Sequence, residues 1–183
     1  MRIGAIGDTH GNLEYVRIVA DLLVKNEKVE EIIHLGDDYH DVDLIEEYDI
    51  KLTRIPGVFE DLYKNPATPN RLIKVYNGWK ILLTHSQTSH EYDLPDDPKP
   101  EEVVANREVQ VVLYAHTHIP KIEEKDKILW INPGHLKKED KKGHPASYGL
   151  LDFEREKINA RIVDLLNHNV LFAHEFRKYL KNK

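Results

Sequence analysis

An α/β fold, specifically a four-layer α/β/β/α sandwich of two mixed sheets flanked by helices, is what this 183-residue sequence predicts. Three observations point there. The first third alternates short apolar runs with helix-spaced segments, which is the βαβαβ pattern of a parallel sheet with crossover helices. The pattern then changes to hairpins, the first marked by Asn77-Gly78 between two strand-like runs. Finally, the run from Val109 to Tyr114 is nearly all apolar, as a central strand buried on both faces requires.

Taken in order, residues 2–6 (Arg2-Ile3-Gly4-Ala5-Ile6) form a buried strand. Leu13, Val16, Val19, Ala20, Leu23 and Val24 recur at helical spacing, so a helix spans 13–25 with Asn12 as its N-cap. A strand over 31–35, a short helix over 41–48 and a strand over 50–55 complete the opening half. Strands 71–76 and 80–83 flank the Asn-Gly turn. Pro95, Pro98 and Pro100 make 93–100 a loop, followed by a helix at about 100–107. After strand 109–114 come two hairpins, 119–123 with 128–131 and 147–153 with 157–164. The segment 169–181 reads as an amphipathic helix carrying Val170, Leu171, Phe172, Phe176, Tyr179 and Leu180. Residues 63–70 and 135–145 read as exposed loops. With no repeat, low-complexity stretch or composition break, one domain over 1–183 is expected.

Composition narrows the function classes. A 40% apolar fraction supports a full core, and the 32% charged fraction exceeds the average of about a quarter for a soluble domain. The absence of Cys excludes disulfides and Fe–S clusters. A formal net charge of −6 argues against a general nucleic-acid partner. No apolar run approaches the roughly 20 residues of a bilayer span. Met1-Arg2-Ile3-Gly4 leads straight into a strand without a secretory h-region, so a cytoplasmic location is expected.

The chemistry sits at strand ends. Asp8 and His10 follow the first strand, Asp37 the second, His85 the run Ile81-Leu82-Leu83, and His116 and His118 the strand ending at Tyr114. Carboxylate and imidazole without thiolate form a ligand set for divalent metals of hard or borderline character. If those ends converge, they build a metal-dependent hydrolase site. Two divalent ions about 3.5–4 Å apart would lower the pKa of a shared water and neutralise an ester's charge. Such a pair needs a bridging carboxylate, and Asp37 is the candidate.

Each residue has a plainer reading. Asp8 suits a helix cap, and Asp37 a turn after a strand. His85 suits a satisfied core position, and His116 and His118 suit an exposed strand end. The ordered set outweighs these separate readings. Asn12 suits an N-cap. His34 lies inside a strand and reads as packed, Asp38 and Asp41 as helix-start residues, and Trp79 and Trp130 as packing or interface residues. Lys137, Lys138, Lys141 and Lys142 read as a solvated loop that could favour an anionic substrate.

The order Asp8-Thr9-His10, Gly36-Asp37, Thr84-His85, Ala115-His116-Thr117-His118 resembles the calcineurin-like metallophosphoesterase superfamily, and most closely its small bacterial and archaeal phosphodiesterases. The resemblance runs from residue 3 to about 153 and includes Ile131-Asn132-Pro133-Gly134 and Ser147-Tyr148-Gly149-Leu150-Leu151-Asp152. It implies that Asp8, His10 and His118 hold a first metal, that His85 and His116 hold a second, that Asp37 bridges them, and that Asn12 lies near the substrate phosphate. The implied cofactors are two divalent ions, with Mn favoured and Ni, Fe, Co or Zn open. The implied reaction is hydrolysis of a small phosphoester, more readily a diester, by attack of a metal-bridging hydroxide and without a phospho-enzyme.

Four positions depart from that pattern. Val58 stands where the family has a metal-ligating Asn, and Phe59 where many relatives have a His near the substrate. Ala115 replaces Gly, and His135 replaces Ser. A valine cannot coordinate, so water, Glu60 or Asp61 would have to complete the second metal. His40, His90 and His135 are the remaining imidazoles near the motifs and the candidates for leaving-group protonation. Two alternatives to catalysis on this fold stay open: a metal-binding protein-interaction scaffold, as in a retromer subunit related to the superfamily, and a phosphate or nucleotide sensor. A homodimer through the tryptophans or the C-terminal segment is also open.

Overall fold

The structure is a computed structural model that describes residues 1–179. β1 (Arg2–Ile6) leads through α1 (Leu13–Asp21) and a π-helical turn (Leu22–Asn26) into β2 (Glu31–His34). A 3-10 helix (Tyr39–Tyr48) then connects to β3 (Lys51–Arg54). After a 3-10 turn (Asp61–Lys64) come β4 (Arg71–Tyr76) and β5 (Trp79–Thr84), then α2 (Pro100–Ala105) and β6 (Val111–Leu113). The remainder is β7 (Lys121–Lys125), β8 (Ile128–Asn132), β9 (Ser147–Phe153), β10 (Lys157–Asp164) and β11 (Val170–Arg177).

Two mixed sheets result. One has the order β11-β10-β9-β1-β2-β3 and the other β4-β5-β6-β8-β7. β1, β2 and β3 run parallel, as do β5, β6 and β8, because helices or long loops return the chain between them or, from β6 to β8, the antiparallel strand β7 does. The expected central strand, β6, lies in the middle of its sheet. Between the sheets, Ile3, Ala5, Ile33, Leu35, Ile81, Leu83, Leu113, Ile131, Leu151 and Phe176 form the main core. Apart from Ala5, each such side chain contributes about 1.5–3 kcal/mol on burial.

A second apolar layer packs α1 on the outer face of the first sheet, through Val16, Val19, Ala20 and Leu23 against Ile6, Ile32 and Leu150. A Cβ on Gly4 would stand 2.6 Å from a Leu23 methyl, so glycine lets helix and strand close up here. A third, smaller layer sets Val103 of α2 and Val109 on Leu82 and Val112. The four-layer sandwich is therefore present, though its last layer is thin.

The C-terminal segment is a correction. The helix expected over 169–181 is instead a strand at Val170–Arg177, paired antiparallel with β10 from Lys157↔Arg177 onward; position 181 and Leu180 lie outside the described residues. Phe172 and Phe176 satisfy a period of two as well as one of 3.6, and Val170 fits only the former. The open edge of β10 decides between them, because a strand there recovers a full ladder of hydrogen bonds. Smaller shifts occur elsewhere. The helix expected over 13–25 changes to π geometry after Asp21, and the 41–48 segment is a 3-10 helix beginning at Tyr39. The 63–70 loop begins inside a 3-10 turn. Among the described residues, no helix is long and apolar enough to cross a membrane.

Candidate metal centre

The strand ends converge. β1 and β2 deliver Asp8 and Asp37 from one sheet; β5 and β6 deliver His85 and His116 from the other. This is the crevice beyond the carboxyl ends of parallel strands, where α/β folds place their sites. Asp8, His10, Asp37 and His118 each offer a ligand atom within 4.8 Å of all the others.

Asp37 stands between two imidazole pairs. Its Oδ2 is 3.5 Å from His10 Nε2, and its Oδ1 is 3.4 Å from His85 Nε2. His10 Nε2 and His118 Nε2 lie 3.0 Å apart, while His85 Nε2 and His116 Nδ1 lie 3.1 Å apart. Two nitrogens each about 2.0–2.1 Å from one ion would be separated by roughly 2.9–3.4 Å at octahedral or tetrahedral angles.

Tautomers sharpen the case. His85 Nδ1 is 2.7 Å from the Leu35 carbonyl, an acceptor, so this nitrogen must donate. Burial first of all lowers the His85 pKa, to about 4, which leaves the ring neutral at pH 7. Its Nε2 is then a bare lone pair directed at a carboxylate oxygen. Likewise, His118 Nδ1 lies 2.7 Å from Asp140 Oδ1, and donation to that carboxylate makes Nε2 the nitrogen turned toward the cluster. Acceptor facing acceptor is unfavourable unless a cation sits between them. Asp8 carries the same signature. It is fully buried, its Oδ1 accepts from the His116 amide at 3.0 Å, and its Oδ2 has no partner. Burial, then the neighbouring Asp37 charge, push its pKa well above the ordinary carboxylate range. A divalent ion would reverse both effects, so the donor set fits the metals that the sequence implied.

The backbone is wound tightly to achieve this. Asp8, His10, Asp37, His116 and His118 all have φ between +48° and +68°. Non-glycine residues in the left-handed region cost roughly 1 kcal/mol or more each, and such residues gather at functional sites. Around them lies a supporting frame. Asp41 Oδ2 accepts from the Gly11 amide and lies 2.7 Å from Thr9 Oγ1, holding the Asp8–Gly11 turn. Asn132 donates to the Ala115 carbonyl and to Thr117 Oγ1, holding the turn between His116 and His118. A Cβ on Gly57 would collide with Asp37 Oδ1.

A model of the calcineurin-like phosphoesterase superfamily domain matches residues 1–156. The chain belongs to that superfamily. A relative similar over most of its length is the phosphodiesterase MJ0936 of Methanocaldococcus jannaschii, 26% identical over 148 residues that cover 73% of this chain and 83% of that one. The phosphodiesterase YfcE of Escherichia coli K12 is 43% identical over 53 residues, so the chain spans 28% of the length of that curated relative in sequence. In structure, the E. coli phosphoesterase YfcE superposes with a TM-score of 0.73 at 22% identity, covering 97% of this chain and 100% of that one. Vacuolar protein sorting 29 of Cryptosporidium parvum superposes with a TM-score of 0.71 at 20% identity, covering 97% and 98%. At such identities the likeness to the solved structures is one of fold.

Within this phosphoesterase fold, the other candidate residues take supporting places. Both oxygens of Glu60 are engaged by backbone amides, those of Gly57 at 2.5 Å and Tyr39 at 2.8 Å, so Glu60 braces the loop behind Asp37. His40 is exposed and pairs with Asp43 at 3.1 Å. Asn12 ties α1 to the following loop: its Nδ2 donates to the Leu136 carbonyl at 2.7 Å, and its Oδ1 accepts from the Tyr15 amide at 3.5 Å. His135 uses both ring nitrogens on backbone, with Lys137 N donating to Nδ1 and Nε2 donating to the His144 carbonyl. Val58 is buried and Phe59 is exposed at the cleft.

Asp140 escaped the sequence reading because it lies in a Lys-rich loop that reads as solvated. Its side chain is 4% exposed and is held by His118 and the Lys142 amide. Burial pushes its pKa up, but those two hydrogen bonds outweigh it and hold the carboxyl at about 2.

Proposed function

We propose that this protein is a phosphodiesterase that works with two divalent ions, manganese among those that suit the site, on a small phosphoester. The observation that carries the proposal is the position of Asp37, whose two oxygens face two separate imidazole pairs, each containing a ring nitrogen turned toward the cluster. Superfamily membership and the phosphodiesterase names of its relatives support the substrate class.

In this reading Asp8, His10 and His118 hold one ion, His85 and His116 hold the other, and Asp37 serves both. When bound, the pair of ions supplies an activated water and neutralises the ester's charge. The chain supplies orientation. Leu35 and Asp140 fix the ring planes and tautomers of His85 and His118, and Gly57 leaves room for the shared carboxylate. No side chain is needed as a covalent nucleophile. The His85–His116 half lacks the family's Asn because Val58 occupies that position, so an ion there would have fewer protein ligands.

The test is hydrolysis of bis-p-nitrophenyl phosphate beside p-nitrophenyl phosphate. Activity should vanish with a chelator, return with manganese and favour the diester. Asp37→Asn should lower turnover by several orders of magnitude; near-normal turnover in that variant would sink the assignment. Val58 and Phe59, in place of the family's Asn and His, are the features that suit a second reading, a protein-interaction scaffold. Tight metal binding with no hydrolysis of either ester would promote it.

A further inference from the structure

The His85–His116 end of the cleft carries an aromatic ledge. Phe59 is 69% exposed, although Val58 beside it is buried. Its ring centroid lies 6.0 Å from that of His116, 5.6 Å from His90 and 6.2 Å from Tyr92, the last two nearly edge-on. His90 and Tyr92 are 5.1 Å apart. A phenyl ring left in water forgoes the free energy of burial, and packing does not explain one held open beside a metal site.

Both supports of the ledge are firm. Phe59 sits in the turn where Glu60 clamps the Gly57 and Tyr39 amides and its own amide donates to the Gly57 carbonyl at 3.1 Å. On the other side, Asp93 accepts from the His90 amide at 3.0 Å, from Arg71 Nη2 at 2.9 Å and from the Tyr63 hydroxyl at 2.5 Å. The Arg71 side chain is completely buried, so this anchor reaches into the body of the second sheet. A cation is also at hand: Lys64 Nζ lies 4.5 Å from the centroid of the Tyr92 ring. Fixed rings, an open apolar face and a nearby positive charge are what stacking of a planar, anionic ligand requires.

We propose that Phe59, with His90 and Tyr92, forms a subsite that stacks a planar aromatic substituent of the phosphate ester, a nucleobase or an aryl group. The subsite makes esters carrying such a group preferred over alkyl esters. The proposal rests on the phosphoesterase reading for its place in a reaction, but its binding step is measured separately.

Binding of thymidine 5′-monophosphate, phenyl phosphate and methyl phosphate to the zinc-loaded protein is compared by calorimetry in wild type, Phe59→Ala and Phe59→Trp. Removing one stacking partner should weaken thymidine 5′-monophosphate about tenfold. Methyl phosphate should bind all three proteins alike, and Phe59→Trp should retain the preference. Equal loss for phenyl phosphate marks a general aryl subsite; loss for the nucleotide alone marks a nucleobase subsite. Both outcomes support the proposal. It is overturned if Phe59→Ala leaves every affinity unchanged, or weakens methyl phosphate as much as the aromatic ligands. If no ester is hydrolysed yet the aromatic preference disappears with Phe59, the ledge stands and the enzyme reading falls.

Discussion

Asp140 Oδ1 lies 2.7 Å from His118 Nδ1, on the side of the ring opposite the nitrogen that faces His10. This is a carboxylate–histidine arrangement aimed at the cluster. It fixes which nitrogen is free and raises its basicity. Asp140→Asn keeps the shape and removes the charge. Metal affinity should fall by about 10- to 100-fold with little change in the far-ultraviolet spectrum. Titration with manganese or zinc checks this; unchanged affinity would reduce Asp140 to a loop clasp.

Gly57 faces the Asp37 carboxylate from behind. In Gly57→Ala the added methyl collides with Asp37 Oδ1 and stands 2.7 Å from Asp37 N, so the carboxylate must swing away and the main chain at Asp37 must shift with it. A displacement of about 1 Å at a reacting centre costs on the order of 100-fold. Turnover of bis-p-nitrophenyl phosphate should drop by at least about that factor, and the thermal midpoint should fall as well, because the main chain at Asp37 is displaced.

Metal should bind in two steps. Asp8, His10 and His118 share Asp37 on one side, while His85 and His116 share it on the other, with Val58 adding nothing. Calorimetric titration of chelator-treated protein should resolve a tighter and a weaker ion. Activity should follow the weaker one, and two indistinguishable sites would contradict this picture.

His34 makes a separate prediction about acid stability. It is fully buried with both ring nitrogens unpartnered, and burial, then the charges of His85 and Arg54, lower its pKa to about 3. The unfolded chain takes up this proton near pH 6.5 and the folded chain does not. The unfolded state therefore binds more protons below that pH, and stability is lost as pH falls from 6.5 toward 3. Between pH 7 and 5 the contribution is about 2 kcal/mol. Urea unfolding of metal-free His34→Leu should lose less stability than wild type over that interval, by about this amount.

Much of this was legible in the sequence. Asp8, His10, Asp37, His85, His116 and His118 announce themselves because each follows an apolar run, and strand ends of parallel sheets meet at one edge. Asn77-Gly78 marked its hairpin because the turn demands positive φ at Asn77 and Gly78, and both have it. Other parts were silent for physical reasons. Phe172 and Phe176 fit two periodicities, and only the free edge of β10 chooses between them. Asp140, Asp41 and Glu60 are ordinary acids until distant chain segments bring His118, Thr9 and Tyr39 to them. The exposure of Phe59 depends on how two loops stand in space, which spacing along a chain does not encode.

The backward-wound residues around the cleft also restrict how this chain can change. At Asp8, His10, Asp37, His116 and His118, glycine would relax the main chain but delete a donor atom. Most other replacements would delete the donor and keep the torsional penalty. Loss of chemistry is thus a single downhill step, whereas exchanging one ligand type for another is uphill. A descendant that kept the sandwich but abandoned turnover would be expected to accumulate glycine or asparagine at these corners, and to melt at a higher temperature for having done so.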